Sequence, residues 1–274
     1  MDAKKKALIK QAVATRTAKF ANSFANRHIA NIKAGKGPLI AKKNNDFARP
    51  LGPEFTVDSA FSRSFDSSFG KMLELLGQQL ASAFYQGKKG IVSVIYQDQL
   101  NLANRLMLQY DRNILSPSIS DYSCLVSDGR NSADMHHATD NCFYDAEAKV
   151  WHIIEVKFGC DLDIKKSKIE KLELLKQYFL MKNLIASEGR DEEVQIHLAA
   201  AYNSKGEGNE WKSERVLRYF SRDEMLIGSE YWNLVCRDSD AYSVVLEAYQ
   251  ESSELIVKAR KRILEEYNAI IHPA

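Results

Sequence analysis

Apolar positions along the chain change their spacing several times, and each change marks an element. From residue 3 to 33, Ala7, Leu8, Ala12, Val13, Phe20, Phe24 and Ile29 recur in loose helical phase, which predicts a mainly helical segment. Gly35, Gly37, Pro38, Pro50, Gly52 and Pro53 then break the pattern as a linker would. Residues 66 to 85 predict a helix with Phe69, Leu73, Leu76 and Leu80 on one face, and Ile91 to Tyr96 reads as a strand leading into a stretch of helical character. Asn113 to Ala138 is loop-rich. Two short apolar runs follow, Asn141 to Tyr144 and Val150 to Gly159, joined by the polar turn Asp145 to Lys149, a pattern that predicts a hairpin. Residues 165 to 187 predict an amphipathic helix whose Leu172, Leu175 and Phe179 would cover a sheet. Gln195 to Tyr202 reads as a buried strand, Arg215 to Phe220 as a further one, and Asp240 to Ile271 as one long helix carrying Val244, Ala248, Leu255, Ala259, Ile263, Tyr267 and Ile270.

The run Val150 to Gly159 holds the most informative chemistry. Side chains alternate along a strand, so Glu155 and Lys157 share one side while Ile154, Val156 and Phe158 share the other. A buried strand bears two charges only if they are paired, bind a metal or do work, because a desolvated charge is costly. Five acid-x-lysine triplets occur, starting at Asp2, Glu147, Glu155, Asp163 and Glu210. Only the third lies inside an apolar strand and has an acid, Asp140, at the head of the neighbouring strand.

That arrangement resembles the PD-(D/E)XK nuclease superfamily, and within it the type II restriction endonucleases. Ser62 to Glu74 is similar to the first core helix of those enzymes, which often carries a glutamate, here Glu74. Asp161-Leu162-Asp163 leads into a long helix, as the family's second core helix follows its catalytic strand. The resemblance covers roughly residues 60 to 230, with Thr139 standing where the family has a proline, a position the superfamily tolerates; Asp134 is the rival for the first acid. It implies an α/β fold with a restriction-endonuclease-like core, a mixed central β-sheet flanked by helices, and helical N- and C-terminal additions. The expected division is 1–55 as a basic helical arm and linker, 56–239 as the catalytic core, and 240–274 as a C-terminal helix at a dimer interface.

Phosphodiester hydrolysis needs an in-line water and stabilisation of charge on the phosphoryl and leaving oxygens, which a hard divalent cation supplies. Magnesium prefers oxygen ligands. Asp140 and Glu155 would hold it, with the carbonyl of Val156 and the carboxylate of Glu74 as further ligands, and Lys157 would orient or help deprotonate the water. The catalytic residues expected are therefore Asp140, Glu155 and Lys157. Double-stranded DNA is the expected substrate, and a palindromic site implies a homodimer with two symmetric active sites. Two other readings share the triplet: a PD-(D/E)XK nuclease of repair, recombination or phage type, and a non-catalytic DNA-binding protein in which Glu155 and Lys157 merely pair.

Composition narrows the remainder. The 274 residues, 45% hydrophobic, can bury a full core, and no apolar run nears the roughly 18 residues of a membrane span. Cys124, Cys142, Cys160 and Cys236 are far apart, which points away from a zinc site or disulfide framework and fits a reducing cytoplasm. His136 and His137 lack Cys or His partners at ligand spacing, so they read as cleft or loop residues. The net charge of +2 conceals an imbalance: residues 1 to 50 hold 12 Lys and Arg against Asp2 and Asp46, a local +10 that leaves −8 elsewhere. Such a basic start suits phosphates. Lys205, Lys212, Arg215 and Arg218, near predicted strand ends, are the further residues expected to touch DNA.

Overall fold

The computed structural model describes residues 1–47, 49–125, 127, 129–139, 141–159 and 161–271. It divides into two compact units, one formed by residues 1–76 with 240–274 and the other by 77–239. The expected arm 1–55 and the terminal segment 240–274 both belong to the first unit. In chain order the helices are α1 (Ala3–Lys33), α2 (Pro38–Lys43), α3 (Gly52–Phe84), α4 (Gln97–Asp111), α5 (Ser120–Ser123), α6 (Ile164–Ser187), α7 (Glu214–Leu217), α8 (Ser229–Cys236), α9 (Ala241–Ser252) and α10 (Glu254–Ile271). The strands are β1 (Gln86–Gly87), β2 (Gly90–Tyr96), β3 (Ser132–Ala138), β4 (Asn141–Asp145), β5 (Val150–Lys157), β6 (Glu193–Ala200) and β7 (Met225–Ile227).

The first unit is helical. Asp2 caps α1 by accepting from the Lys5 amide at 2.8 Å, satisfying one of the donors a helix start leaves open. Phe20 of α1 meets Phe69 of α3 at 5.5 Å between ring centres and Phe24 meets Phe61 at 5.4 Å, so the two helices run antiparallel through an aromatic seam. That seam extends α3 well before residue 66, and the predicted linker is shorter than expected: Pro38 and Pro53 sit in the first turns of helices, where a missing N–H costs nothing. The predicted C-terminal helix is two helices. Ser252 and Ser253 donate their hydroxyls at 2.8 Å to the carbonyls of Ala248 and Gln250, the side-chain competition that interrupts a helix. Val244, Ala248, Ala259, Ile263 and Tyr267 are buried within this unit, where α9 and α10 both pack on α1.

In the second unit five strands form a mixed sheet in the order β1-β4-β5-β6-β7, with β4 and β5 antiparallel and β5, β6 and β7 parallel. The predicted hairpin is β4–β5. α6 is the crossover that joins the parallel β5 and β6, as such a connection requires. Leu174, Leu175 and Phe179 bury its inner face in one core with Ile153 and Leu198 of the sheet. Phe143, His152 and His197 occupy the opposite face. There Tyr85 stacks on Phe143 at 4.5 Å, and Asn141 donates to the Tyr231 hydroxyl of α8 at 3.1 Å. Two expectations fail locally. The loop-rich stretch contains β3, whose polar Ser-Ala-Asp-Met-His-His sequence hides an antiparallel pairing with β2. Arg215 to Phe220 is no strand: its buried Val216, Tyr219 and Phe220 follow three- and four-residue spacing, and α7 forms there. Among the described residues no helix is long and apolar enough to cross a membrane.

Candidate active site

β5 lies between β4 and β6, which explains why its first five residues are buried on both faces. Alternation reaches solvent only at its end, where Glu155 and Lys157 are partly exposed and Val156 between them is buried. Both charged side chains project toward α6. Lys157 donates from Nζ to Glu155 Oε1 at 2.6 Å, and Nζ lies 2.7 Å from Oε1 of Glu170 on α6. Burial works against the charge on Lys157, but the attraction of Glu155 and Glu170 outweighs it and holds the pKa above that of an ordinary lysine. The ammonium form therefore persists at neutral pH.

Glu170 was not foreseen from the sequence, although it sits two turns into the predicted helix. Asp163 fixes the start of that helix by accepting from the Lys166 amide at 2.8 Å. One turn on from Glu170, Glu173 accepts from Lys176 at 2.7 Å and lies 2.9 Å from His137 Nε2. His137 is thus held by a carboxylate, while His136 is exposed. Between the two acids, Lys171 turns inward. It is 0% exposed, pairs with Glu224, and sits 4.8 Å above the Tyr122 ring. Burial pulls its pKa down against the pull of Glu224. The Glu224 carboxylate also accepts from the Tyr122 hydroxyl at 2.8 Å and the Ser221 amide at 2.9 Å. A signal for Glu170 and Glu173 existed in the sequence: two acids three apart on the helix that follows an acid-x-lysine strand face the same way.

Asp140 lies outside the described residues. Its neighbour Asn141 is the register partner of Ile154, the residue before Glu155. Asp134 is exposed on β3 opposite Val94, in the two-stranded sheet rather than the one that carries Glu155. Glu74 belongs to the helical unit, where Lys71 donates to it. Lys205, Lys212 and Arg215 line an open cleft with Gly159 and Tyr202, just past the ends of β5 and β6. Arg215 pairs with Asp161 at 2.6 Å and Lys212 with Glu210 at 2.8 Å. Arg218 does not line that cleft; its charge acts on Asp111. The Tyr202 ring packs against the Gly159 backbone so closely that a Cβ there would sit 2.7 Å from its hydroxyl. Trp211, Tyr219 and Phe220 are buried in the core.

A family model described as "Type II restriction endonuclease, HinfI" matches residues 5–253, most of the chain and nearly every element described above. The chain belongs to the HinfI family of type II restriction endonucleases. No curated protein and no solved structure matches it. As a HinfI-family member it is a site-specific DNA endonuclease, a hydrolase acting on DNA, and the resemblance to restriction enzymes drawn from the Glu155 strand is borne out. The mixed sheet with flanking helices agrees with a restriction-endonuclease-like fold. Enzymes of this family use divalent metal. Among the described residues no group of three or more His, Cys, Asp or Glu side chains is assembled to hold an ion.

Proposed function

We propose that this HinfI-family endonuclease is a cytoplasmic enzyme that cuts both strands of its DNA site with magnesium, at a centre built on Asp140, Glu155 and Lys157. The observation that carries the reading is the Lys157 ammonium held between two carboxylates at the solvent-reachable end of a central strand. The donor chemistry fits the metal: Glu155 is a hard oxygen donor, partly exposed, on the strand next to the one that Asp140 precedes. Asp140, Glu155 and the carbonyl of Val156 would hold magnesium. Bound magnesium supplies charge stabilisation to the phosphoryl and leaving oxygens. Lys157 is kept charged by Glu155 and Glu170, which supports a part as hydrogen-bond donor to the attacking water and the scissile phosphate rather than as a base. Lys205, Lys212, Arg215 and Arg218 would contact DNA phosphates beyond the strand ends. We assign the catalytic core to residues 56–239 and a homodimer contact to 240–274, with 1–55 as a basic arm.

Digestion of a plasmid with the purified protein and magnesium tests the reading. Discrete fragments are expected, a chelator should stop the reaction, and calcium should support binding without cutting because it tolerates looser geometry. Asp140→Ala, Glu155→Ala and Lys157→Ala should each lower the rate by about 100- to 1000-fold or more while circular dichroism and DNA binding persist. An active Glu155→Ala enzyme overturns the assignment. Normal cutting by Asp140→Asn together with loss in Asp134→Asn moves the first acid to Asp134.

A further inference from the structure

Two hollows in the helical unit share Arg27, Ser67 and Ser68 and so form one continuous groove between α1 and α3. From α1 it takes Arg16, Lys19, Ser23 and Arg27, which follow three- and four-residue steps and therefore share a helix face. From α3 come Arg63 and Lys71, and Lys42 of α2 stands at one end. Hydroxyls fill the space between these cations, Ser64, Ser67 and Ser68 among them. No carboxylate lines either hollow among the described residues.

The contrast with another part of the same helix is informative. Near the start of α1, Lys10 is neutralised by Glu247 and Glu251 at 2.8 Å each, and Lys6 by Glu247 at 3.3 Å. In the groove, Lys19, Lys42 and Arg63 form no ion pair among the described residues. Arg27 is held in place without losing its charge: it donates to the Ser68 hydroxyl at 2.8 Å and lies 5.5 Å from the centre of the Phe24 ring. Lys71 donates to Glu74, so the unpaired set among the described residues is Lys19, Lys42 and Arg63, and a set of like charges without counter-charges costs self-repulsion. It persists here where hydroxyl donors stand beside it, and these are the groups that contact phosphate oxygens in protein–DNA interfaces. From Arg16 to Arg27 the helix rises roughly 16 Å, about the length of five base-pair steps along one strand.

We propose that the α1–α3 groove binds the phosphodiester backbone of duplex DNA, through Lys19, Arg27 and Arg63 with the neighbouring serines. This rests on DNA being the substrate and not on the assignment of the cutting residues. It also moves the phosphate contact away from the Lys6 and Lys10 stretch, whose charge α9 already offsets.

Fluorescence anisotropy of the full-length protein with a labelled duplex, in chelator and at a series of KCl concentrations, tests it. The Lys19→Ala/Arg27→Ala/Arg63→Ala triple should reduce the slope of log K against log salt by about two to three units, since each phosphate that is no longer neutralised lowers it by about 0.9. A control triple that removes the same charge elsewhere at exposed positions, Lys89→Ala/Arg105→Ala/Lys165→Ala, should change it by less than about one unit. Equal changes in the two triples overturn the proposal, since they reduce the effect to net charge. The charge-retaining triple Lys19→Arg/Arg27→Lys/Arg63→Lys should keep the slope; if its slope falls as far as that of the alanine triple, the groove is structural and the proposal fails. Glu155→Ala tests the cutting residues separately, because it should lose cleavage with the salt slope intact.

Discussion

His197 shows how far a single residue can couple this fold to pH. It lies on β6 stacked 5.8 Å from His152 of β5, and neither of its ring nitrogens has a hydrogen-bond partner among the described residues. Burial, and then the neighbouring His152, push its pKa down to about 3. Burial also lowers the pKa of His152, against the weaker pull of Asp145 and Glu193. The unfolded chain takes up a proton on His197 near pH 6.5 while the folded chain does not, so stability is fully present above 6.5 and falls as pH drops toward 3. A fall of about 2 kcal/mol between about pH 6.5 and 5 is expected from this group alone. His197→Phe removes the proton site and an unpartnered donor from the interior, and should leave stability at neutral pH unchanged or raised. Urea denaturation at about pH 5 and 8, on either side of the ordinary histidine range, checks both statements: the difference between the two midpoints should shrink in the variant. Glu155 and Lys157 illustrate the opposite case, in which partial exposure and a third charge, Glu170, keep an ionised pair stable at the rim of the core.

At the scale of elements, α6 is the piece that builds the site, since it closes the parallel crossover and brings Glu170 to Lys157. Its position is pinned from below by Lys171, whose buried ammonium meets Glu224, itself held by Tyr122 and Ser221. Removing one partner of a buried ion pair leaves the other uncompensated and costs about 3–5 kcal/mol, whereas replacing both by apolar residues of similar volume is often far milder. Lys171→Met should therefore destabilise the protein by that amount, and Lys171→Met/Glu224→Leu by less. Denaturant titration of the two variants measures the difference, and a double variant as unstable as the single one would show that Tyr122 and Ser221, not the charge, decide the cost. The break between α9 and α10 is another event at this scale. Two serine hydroxyls interrupt what apolar spacing alone presents as one continuous helix.

Across the whole molecule, the HinfI-family match spans α1 through α9, so both compact units belong to the DNA-cutting family rather than one being an appendage. Much of the apolar stripe of α9 and α10 is buried on α1 in the same chain, and the exposed apolar residues left on these helices include Leu246, Leu255 and Val257. If the proposed dimer uses this segment, those residues carry it. Light scattering should then report twice the monomer mass, and Leu255→Lys/Val257→Lys should lower it to the monomer with a loss of cleavage. A monomeric wild-type protein with full activity removes this part of the proposal.

The sequence by itself determined the local periods and the chemistry that rides on them. α1, β2, β5, α6 and β6 follow directly from apolar spacing, and strand alternation alone puts Glu155 and Lys157 on one side of β5. Those are properties of neighbours along the chain. Tertiary structure decided everything that depends on partners distant in sequence. It made a strand of the polar β3 by pairing it with β2, and a helix of the stretch from Arg215 by burying Val216, Tyr219 and Phe220 together. It set Glu170 against Lys157 and Glu224 against Lys171. It also divided the basic start of the chain, whose twelve cations look alike in sequence. Glu247 and Glu251 offset Lys6 and Lys10, while the α1–α3 groove leaves Lys19 and Arg63 without ion pairs among the described residues. The physical reason is the same in each case: a charge or a polar strand is stable or costly according to what packing places beside it, and that is fixed only when the chain has folded.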